Sequence, residues 1–396
     1  MARVEKSVFK PNYAVPPGET LKETIEAIGM TQAELSQRTG RPKKTINEII
    51  KGKAAITPDT AIQLEKVLGV PASFWNNLER NYQETLARLR EEGNLQSQIK
   101  WLKDFPFPDL VKKGWLPKLK SDVEKLRALL NFFGVAGVSE WKAIWENKEL
   151  AYRKSPAFQG KPAAVATWLR KGEVEALQIE CKPFSERAFR DALKRIRGLT
   201  WESSDVFEPE IKGLSAEAGV AVVFVPELPG THLYGATRWL GPAKALIQLS
   251  LRGKTDDHLW FTFFHEAGHL LLHGKKEAFI EARGEGCRDM GGSEKEQEAN
   301  RFAQDFLIPP DKYHAFVEAD QLSEPFIRKF AEQLGIAAGI VVGRLQHEKA
   351  IPFSAVNRLK KRFKSGEENK SRKANYRSEK KKGSSLRLTY VDGSER

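Results

Sequence analysis

The stretch Leu259-Trp260-Phe261-Thr262-Phe263-Phe264-His265-Glu266-Ala267-Gly268-His269-Leu270-Leu271-Leu272-His273 decides how this 396-residue chain is read. It is apolar on nearly every side of a helical wheel, so it predicts a helix buried within a domain. Thr255-Asp256-Asp257 supply capping and first-turn acidic residues in front of it, and Gly274 closes it. Within that apolar helix His265 and His269 stand one turn apart on one face, about 6 Å along the axis. Both imidazoles can reach one metal ion from there. Glu266 sits beside them, where a carboxylate can take the proton of a metal-bound water whose pKa the metal has lowered.

Either histidine alone reads more readily as a hydrogen-bonded core residue. Together, and in HExxH spacing, the two favour a metal site; by rough residue frequencies the motif arises by chance in a chain this long on the order of once in a hundred. His273 continues the series but lies about 12 Å along the axis from His265, too far to share an ion with both other histidines. A hydrogen-bonded packing position is expected for it. A third ligand must come from another element, and the helix expected from Ser293, in SEKEQEANRFAQDFLIPP, is the best source. Ala299, Phe302, Ala303 and Phe306 mark its buried face. Glu296 and Asn300 flank that face together, and Glu298 borders its opposite side. Glu296 is the preferred ligand, although position separates it only weakly from Glu298, and Ser293 with Glu296 also has capping-box spacing.

Upstream, Gly219 opens GVAVVFV, short, β-branched and bounded by Pro226 and Pro229, as a buried strand should be. Lys244 to Leu251 alternates apolar Ala245, Ile247, Leu249 and Leu251 with Leu246, Gln248 and Ser250. That pattern predicts a half-exposed antiparallel strand near a sheet edge, open to an extended peptide by strand addition. Strands followed by helices to about residue 350 indicate an α+β domain.

Residues 258 to 310, with HEAGH, LLLH, Glu296-Gln297-Glu298-Ala299-Asn300, Phe302-Ala303 and Leu307-Ile308-Pro309, resemble the ImmA/IrrE family of metallopeptidases. The resemblance implies a zincin-like domain binding Zn2+, with Mn2+ as the alternative. It implies ligands His265, His269 and Glu296, a general base or acid in Glu266, and a supporting role for Asn300 behind the ligands. Asn300 stands where related zinc peptidases often carry Asp. His232, Tyr234, Tyr313 and His314 are unranked candidates for stabilising an oxyanion.

The N-terminal part is punctuated differently. Thr31 and Glu34 have capping-box spacing, so a helix begins there and stops near Gly40. Pro42 suits the start of the next helix, on which Ile46, Ile49 and Ile50 form one apolar face, and Gly52 ends it. Thr57-Pro58-Asp59 starts a further helix that runs to Gly69, and a longer one follows from about Pro71. PGETLKETIEAIGMTQAELSQRTG, TINEIIKGKAAITPDTA and LGVPASFWNNL resemble HigA-type antitoxins of the Cro/repressor (XRE) helix-turn-helix superfamily over residues 17 to 85. The resemblance makes Pro42 to Lys51 the recognition helix. Lys43, Lys44, Thr45 and Asn47 are then candidates for groove contacts, and Gln32, Lys51 and Lys53 for phosphates. The alternative is a small helical bundle that mediates protein contacts only.

These segments describe a multidomain chain: an all-α helix-turn-helix domain over 1–92, a helical middle region of unknown role over 93–205, the α+β metallopeptidase domain over 206–352, and a basic disordered tail over 353–396. A polar stretch from Glu91 to Gln98 reads as a linker. The net charge of +13 resides largely in Arg358 to Lys382, which holds twelve Lys/Arg against three Glu. That tail either touches nucleic acid nonspecifically or serves only to solubilise. Two distant cysteines, Cys181 and Cys287, exclude a disulfide framework and a cysteine-rich zinc module. No apolar run is long enough to cross a bilayer and the N-terminus lacks a signal-peptide core, so a cytoplasmic protein with no membrane partner is expected. The expected function is a DNA-binding transcriptional regulator, homodimeric on operator DNA, whose zinc-dependent endopeptidase domain cleaves a regulatory protein or the chain itself. The alternative is an antitoxin-like autoregulator with a non-catalytic metal domain and a toxin partner.

Overall fold

The computed structural model describes residues 13–152, 161–231, 233–250, 255–274, 279–282 and 294–362. The chain falls into two compact units, Met1–Leu102 with Leu119–Ala128, and Lys103–Lys118 with Leu129–Arg396.

The first unit is helical, with α1 (Pro17–Ala27), α2 (Gln32–Thr39), α3 (Lys43–Ile50), α4 (Pro58–Leu68) and α5 (Ala72–Gln98). Its punctuation follows the sequence. Thr31 accepts from the Glu34 amide at 3.1 Å, while the Glu34 side chain turns to Arg38 instead of reaching back. Gly40 and Gly69 close α2 and α4 in the left-handed conformation, and Thr57 accepts from the Thr60 amide at 3.3 Å. Leu21, Ile25, Leu35, Ile46, Ile49, Leu64 and Trp75 form the core. Residues 91–98, expected as a linker, are instead the last two turns of α5. Gly93 and Asn94 weaken a helix by at most about 1 kcal/mol each, and burial of Leu95 together with the surrounding Glu, Arg and Gln outweighs that.

In the second unit α6 (Phe107–Lys112), α7 (Asp122–Phe133, shared with the first unit), α8 (Val138–Tyr152), α9 (Pro162–Leu177), α10 (Glu186–Arg197) and α11 (Ser204–Glu217) precede the strands. Phe105, Phe133, Trp141 and Trp145 pack edge to face around the start of α8. The strands are β1 (Val220–Phe224), β2 (Leu233–Gly241) and β3 (Lys244–Leu249); then come α12 (Asp256–Leu272), β4 (Phe279–Ala282), α13 (Glu294–Leu307), α14 (Pro310–Glu318), α15 (Glu324–Leu334) and α16 (Ala338–His347). The sheet order is β1-β3-β2-β4; β1 runs parallel to β3, and the other pairs are antiparallel. An α+β domain is therefore present as expected, with α12 lying against β2, β3, α13 and α16.

Three expectations are corrected here. The strand expected at the sheet edge over 244–251 is interior: β3 pairs on both sides and is almost wholly buried. Its polar positions mislead because they hydrogen-bond inside the protein, the Gln248 amide nitrogen donating to the Trp168 carbonyl at 2.7 Å and the Ser250 hydroxyl to the Leu233 carbonyl at 2.5 Å. Residue 251 lies outside the described residues. The part of the expected middle region from α9 onward is not separate from the metallopeptidase domain, since α9 packs on β1 and β3, and α10 and α11 share the core with α12. Finally, the tail expected from 353 is packed as far as 362. Leu359 is buried, Lys360 pairs with Asp257 at 2.5 Å, and the Lys361 carbonyl accepts from the Asp256 amide at 2.9 Å. Residues 363–396 lie outside the described residues.

Candidate metal centre

Helix α12 is buried over most of its length, with His265 and His269 each 2% exposed and Glu266 fully buried. Its first turn is anchored by the Asp256 side chain, which accepts from the Asp257 and Lys361 amides at 3.0 Å; Thr255, expected to cap, makes no side-chain capping bond. Helix α13 runs alongside and brings Glu296 to the histidines. Its far end is fastened by Arg197, whose guanidinium donates to the Phe306 and Leu307 carbonyls of α13 and to Leu334 of α15.

His265 Nε2 and His269 Nε2 are 3.0 Å apart, and Glu296 Oε2 stands 3.2 Å from the first and 3.6 Å from the second. Two ligands about 2 Å from one tetrahedral ion would be about 3.3 Å apart. His265, His269 and Glu296 each offer one atom within 4.8 Å of the others. His265 Nδ1 faces Asn300 Oδ1 at 2.9 Å. A carbonyl oxygen can only accept, so Nδ1 carries a proton, and a neutral ring then presents its Nε2 lone pair toward Glu296. Burial, the largest influence, lowers the His269 pKa to about 4 against the pull of Glu296, so this imidazole is neutral at physiological pH. Burial pushes the Glu296 carboxyl up, but the two imidazoles beside it, His265 and His269, outweigh that and hold the group well below the usual carboxylate range. Two imidazole nitrogens and one carboxylate oxygen, converging in a buried site, are a donor set suited to a zinc-like dication.

The remaining sequence candidates are distributed as follows. Glu298 does not join the group; it meets His273, which in turn faces His269, so His273 is hydrogen-bonded as expected. Tyr234 stacks with His258 at 6.0 Å between centroids. Tyr313 is buried under the Arg344 guanidinium, and His314 is exposed on α14. His232 and Ser293 lie outside the described residues. In the first unit Lys43, Lys44, Lys51 and Lys53 are exposed and Gln32, Thr45 and Asn47 half-buried, while Ile46 and Ile49 hold α3 to the core. Sequence reasoning missed two contributors. Phe279 of β4 stacks on the His269 ring at 3.9 Å and 12°, and Gly235 of β2 lies against Glu266. Both contacts join strands to a helix across the tertiary fold and leave no one-dimensional signal.

Residues 21–75 match the helix-turn-helix family, and residues 219–346 match the family described as IrrE N-terminal-like domain. Virulence-associated protein A of Dichelobacter nodosus is 30% identical over 97 residues, 24% of this chain and 91% of that protein. An uncharacterized HTH-type transcriptional regulator of Escherichia coli, YddM, is 30% identical over 63 residues, 16% of this chain and 67% of that protein. Among solved structures, the Pseudomonas aeruginosa antitoxin HigA with higBA promoter is similar at 26% identity, covering 22% of this chain and 94% of that one, with a TM-score of 0.21. The chain thus belongs to the helix-turn-helix family of regulators through its N-terminal domain and carries behind it an IrrE N-terminal-like, metallopeptidase-family domain.

Proposed function

We propose that this protein is a DNA-binding transcriptional regulator whose C-terminal domain is a zinc endopeptidase acting on a regulatory protein or on the chain itself. The observation that carries the reading is the convergence of His265 Nε2, His269 Nε2 and Glu296 Oε2 beside the fully buried Glu266. His265, His269 and Glu296 would hold the ion, with Mn2+ as the alternative occupant. A zinc ion held by these residues would supply Lewis-acid chemistry, activating a water for attack and polarising a peptide carbonyl. Glu266 is fixed from behind, where the Thr237 hydroxyl donates to its backbone carbonyl at 3.2 Å. Its carboxylate takes the proton of the attacking water and returns it to the leaving amine. Asn300 holds the His265 ring in the tautomer that frees Nε2.

In the N-terminal domain, α3 enters the major groove with Lys43, Lys44, Thr45 and Asn47 toward the bases, and Gln32, Lys51 and Lys53 bind phosphates. The regulator acts as a homodimer on a two-fold operator in the cytoplasm. A paired toxin is a further candidate partner.

Two measurements test this reading. Elemental analysis of the full chain supplied with zinc should give near one equivalent for wild type and for Glu298→Ala, and little for His265→Ala and Glu296→Ala; no zinc in wild type refutes the site. New peptide N-termini in a bacterial soluble extract should appear with wild type and vanish with Glu266→Gln, which keeps its zinc. Equal cleavage by both proteins refutes the assigned base, and zinc without cleavage in either leaves a metal-binding autoregulator.

A further inference from the structure

The Nδ1 of His265 is held from α13 by Asn300. The Nδ1 of His269 is met from the end of its own helix instead. It faces the Nδ1 of His273 at 3.0 Å, and His273 Nε2 faces Glu298 Oε2 at 3.0 Å. The His273 side chain is 3% exposed, while Glu298 is 49% exposed.

With one hydrogen on each ring, the donors and acceptors along this line fix the protons. A carboxylate oxygen accepts, so His273 Nε2 carries a hydrogen and donates to Glu298. His273 then has a bare Nδ1, which can only accept. The hydrogen between the two rings therefore belongs to His269 Nδ1, and His269 Nε2 is left bare. That nitrogen is the one standing 3.0 Å from His265 Nε2 and 3.6 Å from Glu296.

We infer that Glu298 and His273 form a two-link wire that sets the tautomer of His269 and turns its Nε2 lone pair into the metal site. The inference rests on the metal-site reading above and extends it: α13 then supplies one ligand, Glu296, and the outer support of both others, Asn300 directly and Glu298 through His273. His273 and Glu298 are positioning residues. The wire explains why His273 sits on the α12 face of His265 and His269 although it cannot share their ion, and why Glu298, the rejected ligand, lies against that helix. Phe279 stacked on His269 restrains ring tilt but has no group that could select a tautomer, so selection falls to His273.

The test reads the tautomer and the metal separately, on the full chain. In metal-free protein, 15N–1H correlation spectra of the imidazoles should place the His269 proton on Nδ1. In His273→Phe, which keeps a ring but no acceptor, that proton should move to Nε2, the position free histidine prefers. Zinc affinity, measured by competition with a chelating indicator, should fall about 10- to 100-fold in His273→Phe. It should stay within a few-fold of wild type in His273→Gln, whose amide oxygen can accept from Nδ1. Glu298→Ala, a surface change that preserves the core, should weaken zinc several-fold while still filling at excess zinc. A His269 proton on Nε2 in wild type overturns the inference, as does equal loss of affinity in the Phe and Gln variants, which would assign the effect to packing. Absence of zinc binding by wild type removes the metal-site reading itself, a result the variant series cannot produce.

Discussion

The backbone of Gly235 in β2 lies directly against Glu266 in α12: a Cβ added at 235 would stand 2.6 Å from Glu266 Oε1 and 2.7 Å from Thr262 Cγ2. Strand and helix are in effect in contact through the carboxylate assigned as the base, and only glycine leaves room for it. Gly235→Ala should push the carboxylate aside by a substantial fraction of an ångström. Cleavage should fall by about 100-fold, the cost of a comparable misplacement elsewhere, while zinc stoichiometry is retained. Overpacking should also lower stability by about 1–3 kcal/mol, read as a drop in Tm. Unchanged cleavage would mean that Glu266 is not the base or that its position is not set by β2.

Asp256 gives the domain a pH dependence. Burial, then the neighbouring Asp257 charge, raises the Asp256 pKa from 3.8 to about 7, against hydrogen bonds from the Asp257 and Lys361 amides. The groups facing it are Asp257, the Lys361 backbone and the backbone of Gly339 on α16, with Lys360 directed at Asp257. A carboxyl with a raised native pKa binds its proton more tightly folded than unfolded. Its contribution to stability is therefore present below about 4 and is lost as the pH rises to about 7. Asp256→Asn keeps an acceptor for both amides and removes the charge. It should flatten the slope of stability between pH 4 and 7 and be more stable than wild type at pH 8, as measured by urea unfolding at several pH values.

Lys360 should be worth more than a surface cation. It is 14% exposed and meets Asp257, 6% exposed, at the start of α12, where Gly339 and Gly343 of α16 leave space for the two aspartates. Removing one partner of a buried pair strands the other, at a cost of about 3–5 kcal/mol. Lys360→Met should lower Tm accordingly, and truncation after residue 352 should lower it at least as much. A truncation after 352 that melts with wild type would return residues 353–362 to the tail.

Operator binding should divide the α3 residues into two classes. Lys51→Ala and, just beyond the helix, Lys53→Ala should weaken binding to all sequences alike, each reducing the salt slope by about 1. Lys43→Ala and Lys44→Ala should instead change sequence preference; uniform weakening by either would move that residue to the phosphate class. Asn47→Ala should cost about 1–3 kcal/mol against the preferred base and relax specificity at one position. Fluorescence anisotropy on operator and scrambled duplexes, at several salt concentrations, separates these outcomes.

The sequence by itself determined the local events. Helix starts at Thr31 and Thr57, stops at Gly40 and Gly69, the buried strand after Gly219, and the helix carrying His265, Glu266 and His269 all follow from short-range capping and periodicity, which act within a few residues. It also narrowed the carboxylate nearest His265 and His269 to Glu296 or Glu298, because a helix face restricts the choice to its borders. Only the tertiary structure places Glu296 beside the two histidines, since that depends on the register of α13 against α12, to which no residue within either helix testifies. The same holds for β3, whose Gln248 and Ser250 look solvent-facing until their hydrogen bonds to Trp168 and Leu233 are known. It holds equally for residues 353–362, whose lysines resemble a solvated tail but meet Asp256 and Asp257 some hundred positions earlier. Alternation and charge in a sequence report polarity; whether a polar group finds water or a partner is settled by long-range packing.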